Sequence, residues 1–229
     1  MSILANYPDN GFSDAEKAII ENALQRWRDL LPCNDGMQIT IDFRRRALDP
    51  NVLGETGTNF NADGQVTDAK ITLDDDSLSW SNGVPASGYD AQTVVEHEVA
   101  HALGFWDGPS IGGNGNDSAF TANIGSNATN GEFYDFNGNG LLDGNDVDLV
   151  DRNAADGIYS DHTLDGGLLD ETIAEGTRLH ATLAYAKMLG DSYGYCVAPE
   201  PITAVAMLTA VASLAGYTRR RQAARSGRQ

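Results

Sequence analysis

One stretch limits this chain more than any other: TVVEHEVAHALGFWDG, residues 93–108. His97 and His101 stand four residues apart, so on a helix they project from one face and can converge on a single ion through imidazole nitrogens. Glu98, beside the first histidine, is placed to take a proton from water held by such an ion and pass it to a leaving amine. The spacing predicts a helix from about Asp90 to Gly104. Glycine suits its end, because it takes the left-handed conformation at a helix C-terminus without a Cβ penalty. The plain alternative is a surface helix that happens to carry two histidines and a glutamate. Gly104, three residues after His101, and Asp107 beyond it make that coincidence rarer.

The surrounding pattern predicts an α+β domain. Residues 13–31 open with Ser13 and Glu16 at capping-box spacing, carry Ile20, Leu24, Trp27 and Leu31 along one face, and stop at Pro32. MQITIDF (37–43) and AKITLDD (69–75) alternate apolar and polar residues as half-buried strands do. A last helix is expected over 177–190, TRLHATLAYAKMLG, with His180 on one of its faces. A formal net charge of -18 argues against phosphate backbones as partners. Cys33 and Cys196 are the only cysteines, so no CxxC motif exists; whether they pair is left open. The N-terminus has neither a basic start nor an apolar run of signal-peptide length, so either the true start lies upstream or the protein stays inside.

HEVAHALGFWD resembles the signature of the metzincin zinc proteases, HExxHxxGxxH, with aspartate in the last position as in some small secreted bacterial members. The resemblance covers roughly residues 1–195 and includes matrixin, snapalysin and leishmanolysin-like relatives. It implies a twisted mixed sheet, a zinc-binding active-site helix and a long C-terminal helix. It also implies an edge strand that pairs with extended substrate, a role that would fall to AKITLDD. Zinc would be held by His97, His101 and a third ligand, with Glu98 as general base. Asp107 needs only the Gly104 turn to reach the metal. In the leishmanolysin-like subset the third histidine follows a long insertion just before a methionine turn, and His162, seven residues before Leu169, suits that arrangement. The family's methionine position would here hold Leu169. Tyr193 and Tyr195 are candidates for stabilising an oxyanion.

Residues 135–146, DFNGNGLLDGND, carry a second pattern. Oxygen side chains fall at loop positions 1, 3, 5, 9 and 12 (Asp135, Asn137, Asn139, Asp143 and Asp146), with Gly140 at position 6 and the Leu141 carbonyl at position 7, which is EF-hand spacing for calcium. Aspartate at position 12 and the following VDLV resemble half of a dockerin repeat, and 132–155 is expected to be an insertion. After Cys196 the composition changes. Pro199-Glu200-Pro201, an apolar run of sixteen residues and an arginine cluster, within 196–229, resemble a PEP-CTERM sorting tail. Such a tail implies export, handling by an exosortase-type sorting machinery and membrane contact through the tail alone. Together these resemblances imply a zinc metalloendopeptidase with zinc and calcium, acting on polypeptide at a bacterial cell surface or in its extracellular matrix. The rival is a catalytically weak or inert calcium-binding surface or adhesion module on the same frame.

Overall fold

The computed structural model describes residues 1–32, 37–61, 65–105, 124–127, 131–134, 147–148, 167–169 and 173–199. The chain divides into two units, Met1–Val197 and Ala198–Gln229, and nearly all of the second lies outside the described residues.

The first unit is α+β. Strand β1 (Ser2–Asn6) leads into helix α1 (Asp14–Leu30), and β2 (Gln38–Arg46), β3 (Gly54–Phe60) and β4 (Val66–Asp74) complete a four-stranded sheet in the order β1-β2-β4-β3. β1, β2 and β4 run parallel, with Ile3 opposite Ile39 and Phe43 opposite Ile71; β3 is antiparallel to β4, with Thr56 opposite Ile71. Period-2 alternation drives Ile39, Ile41 and Phe43 of β2 and Ala69, Ile71 and Leu73 of β4 into the core. Two-residue strands β5 (Leu78–Ser79) and β6 (Tyr89–Asp90) precede helix α2 (Ala91–Ala102). α2 packs against β3, β4 and α1, and the Trp27 indole of α1 donates to the Glu96 carbonyl (3.0 Å).

The expected capping box is present: the Ser13 backbone donates to Glu16 (2.7 Å) and the Glu16 backbone to the Ser13 hydroxyl (3.4 Å). α2 begins one residue after its N-cap, Asp90, whose carboxylate accepts from the Thr93 backbone (2.9 Å). Gly104 follows the helix at φ +106°, and a Cβ there would lie 2.5 Å from the Tyr193 ring, so glycine is required twice over.

Three expectations are corrected. AKITLDD is not an edge strand, since β4 is paired on both sides; among the described residues the edge beside α2 is β3, GETGTNF, whose glycines and polar residues hid it from the apolar pattern. The last helix of the described residues is α3 (Leu183–Tyr193), not 177–190, and its 11 residues make it short. Residues 178–181 form no helix, and α2's buried polar groups bind their backbone: Leu179 N donates to Thr93 Oγ1 (2.9 Å) and Ala181 N to Glu96 Oε2 (2.8 Å). A helix begun at 177 would draw the Ala181 donor into its own ladder. Consequently His180 is not a helix-face residue; its Nδ1 meets Glu96 Oε1 at 2.8 Å.

Elsewhere, β7 (Ile124–Asn127), β8 (Gly131–Tyr134) and β9 (Val147–Asp148) form an antiparallel sheet in the order β7-β8-β9. The β8–β9 pair, with Tyr134 opposite Val147, brackets the predicted calcium loop at its stem. Asp135, Asn137, Asn139, Leu141, Asp143 and Asp146 themselves lie outside the described residues. Cys196 is disulfide-bonded, and the sequence contains one other cysteine, Cys33. Among the described residues no helix is long and apolar enough to cross a membrane; the apolar run of the tail was not among them.

Candidate metal centre

α2 presents His97, Glu98 and His101 to a cleft of about 400 Å³, and each residue is only 7% exposed. The other walls come from the loop before β3 (Asn51, Val52, Leu53), from Gly54, and from Tyr89, Val94 and Ile173.

The two imidazoles are oriented from behind. His97 Nδ1 lies 2.7 Å from the Leu168 carbonyl, and His101 Nδ1 lies 2.7 Å from the Phe105 carbonyl. A carbonyl only accepts, so each Nδ1 carries the hydrogen, and in the neutral rings both Nε2 atoms bear lone pairs. Those two Nε2 atoms face one another at 3.1 Å. Two lone pairs at that distance repel unless a proton or a metal cation lies between them. The donor set therefore fits a metal: two nitrogens each about 2.0–2.1 Å from one ion can be no more than about 4 Å apart, and 3.1 Å meets that limit. Carbonyl support of the far ring nitrogen is the usual means of fixing a ligating histidine.

Leu168 and Leu169 form a buried turn beneath His97. Leu169, at the position where the resemblance expects methionine, is wholly within the core, while the neighbouring Leu168 contributes its backbone oxygen to His97. Glu98 is held on its other side by β3. Thr56 Oγ1 lies 2.6 Å from Glu98 Oε2 and 3.1 Å from the Glu98 carbonyl. A Cβ at Gly54 would come within 2.6–2.8 Å of the Glu98 carboxylate. Thr58, two residues further on, donates to the His101 carbonyl (2.9 Å). Neither Gly54 nor the two threonines was picked out by sequence; the only signal was their period-2 spacing in a strand with no apolar face.

Tyr193 and Tyr195 do not serve as expected. Their hydroxyls donate to the Gly104 and Leu103 carbonyls (2.6 and 3.1 Å), so they cap α2's C-terminal end. At its N-terminal end, Arg178 grips fully buried Asp90 with two nitrogens (2.6 and 3.0 Å) and also donates to the carbonyls of Ser81, Asn82 and Gly83 (each 3.0 Å).

Among the described residues no group of three or more His, Cys, Asp or Glu side chains forms a metal-binding cluster. Both third-ligand candidates, Asp107 and His162, lie outside them. No family model matches the chain, and no curated protein does.

Proposed function

We propose that this protein is a zinc-dependent endopeptidase of metzincin type. The observation that carries the reading is the pair of Nε2 atoms at 3.1 Å, each turned inward by a carbonyl behind its ring, with the Glu98 carboxylate in the same cleft. His97 and His101 would hold zinc, and Asp107 or His162 would complete the set. A bound ion supplies Lewis acidity, which polarises a peptide carbonyl and acidifies water. Glu98 accepts the proton of the attacking water and delivers it to the departing amine. Among the described residues no strand pairs with the outer edge of β3, and its backbone groups would receive an extended polypeptide as a further strand. Val52, Leu53, Val94 and Ile173 supply the apolar wall of the cleft against which a substrate side chain would lie.

The same proposal includes calcium in 135–146, ordering the segment that β8 and β9 bracket. It includes export too, with the tail 196–229 handled by an exosortase-type machinery. The disulfide at Cys196 supports an oxidising location.

The test is zinc content by elemental analysis after dialysis, for the full chain and for His97→Ala, Asp107→Ala and His162→Ala, with cleavage of denatured casein measured alongside. The expected result is about one zinc per wild-type chain, none in His97→Ala, and loss in whichever of the other two is the third ligand. Glu98→Gln should keep the metal and lose cleavage, and a chelator should abolish cleavage reversibly. A wild-type chain that holds zinc and cuts nothing would favour the calcium-binding surface module, and one that cannot be loaded with zinc would remove the protease.

A further inference from the structure

We propose that Thr56 is the positioning residue for Glu98, and that β3 thereby couples the placement of the general base to the docking of substrate. This rests on the protease reading above.

Gly54, Thr56 and Thr58 are alternate residues of β3 and all turn toward α2, since each meets a group on that helix: the Glu98 carboxylate, the Glu98 side chain and carbonyl, and the His101 carbonyl. The Thr56 hydroxyl has one hydrogen and two acceptors within reach. It belongs to the carboxylate oxygen, because 2.6 Å is the length of a charge-assisted O–H···O⁻ bond while 3.1 Å to the carbonyl is long for a hydroxyl donor. Gly54 does the complementary work. Any side chain there would overlap the carboxylate, so bare backbone on one side and the hydroxyl on the other fix which way the carboxylate plane faces.

Among the described residues β3 is also the edge strand, so a polypeptide adding to its outer side would take its register from the same backbone that aims Glu98. A base carried by α2 alone would shift relative to the scissile bond whenever the strand moved. With Thr56 in place the two move together, and a misplacement near 1 Å is enough to cost about 100-fold in rate.

The experiment compares full-length wild type, Thr56→Val, Thr56→Ala and Thr56→Ser, on a fluorogenic peptide built from a mapped casein cleavage site. Zinc content and thermal unfolding serve as controls for folding. Thr56→Val is expected to keep zinc, to lower kcat by about 10- to 100-fold and to leave KM within about twofold, whereas Thr56→Ser, which keeps the hydroxyl, recovers most of kcat. Thr56→Ala carries the same comparison with less bulk if the valine variant does not fold. A kcat within twofold of wild type in either hydroxyl-free variant overturns the inference. So does loss of zinc in both, which would make the threonine a prop for the helix. If wild type holds zinc but cleaves nothing, the protease reading itself falls, and this inference with it; a wild type that cleaves and is silenced by Glu98→Gln, beside a fully active Thr56→Val, is failure of Thr56 alone.

Discussion

α1 and α2 lie side by side and are built on opposite plans. α1 is capped by its own residues, Ser13 and Glu16, and buries one face, Ile19, Ile20, Ala23, Leu24, Trp27 and Leu30, while its other face meets water. In α2 every residue but Gln92 is buried, including Thr93, Glu96, His97, Glu98 and His101. Burying a polar group without a partner costs several kcal/mol, about 2–7 by reference state, so α2 must import partners. Leu168 supplies His97, Thr56 supplies Glu98, and His180 and Ala181 supply Glu96. A helix exposed on one side can be specified locally. One buried on all sides and still polar is specified by whatever surrounds it, and here the surroundings aim its histidines and its glutamate.

The comparison is sharpest where α2 begins. Arg178→Ala leaves the fully buried Asp90 carboxylate without its guanidinium and three backbone carbonyls without their donor. Stability to denaturant at neutral pH is expected to fall by about 3–5 kcal/mol, the range for breaking one side of a buried ion pair. Less than 1 kcal/mol would mean that α2 does not depend on the distant segment. Ser13→Ala is the matching change in α1. It removes one capping acceptor on an exposed helix end, so the loss should be about 1 kcal/mol in the same assay. A loss equal to that of Arg178→Ala would erase the distinction between the two helices.

The smallest effect concerns Glu16. Burial raises its proton affinity, but hydrogen bonds from the Ser13 backbone and hydroxyl and from the Arg45 guanidinium outweigh that and hold its carboxyl below the usual 4.5. A carboxyl depressed by folding stabilises the native state above its unfolded value, and that contribution is lost as pH falls through the folded value. Wild type and Glu16→Gln should therefore differ in melting temperature at pH 7 and converge as the solution is acidified well below pH 4.5. A difference that persists unchanged at low pH would show that charge is not what Glu16 contributes.

Much of this was legible beforehand because it is local. The capping box of α1, the alternation of β2 and β4, the four-residue spacing of His97 and His101, and the glycine that ends α2 are each decided by residues within a turn or two of one another. β3 was not legible, since its inward residues are Gly54, Thr56 and Thr58, chosen to fit a carboxylate and two carbonyls rather than a core. The start of α3 was misplaced for a related reason: Leu183, Ala186 and Leu189 continue a stripe begun at Leu179, but the backbone at 179 and 181 is claimed by Thr93 and Glu96.

That two imidazoles and a carboxylate share one helix is written in the chain itself, since it follows from a periodicity of 3.6 residues per turn. How those groups are oriented depends on long-range contacts. The tautomer of each ring is set by a carbonyl, one of them Leu168, 71 residues along the chain. The direction of the Glu98 carboxylate is set by a hydroxyl on a neighbouring strand 42 residues before it. Both are hydrogen bonds between segments that chain folding alone brings together, and no local pattern encodes them.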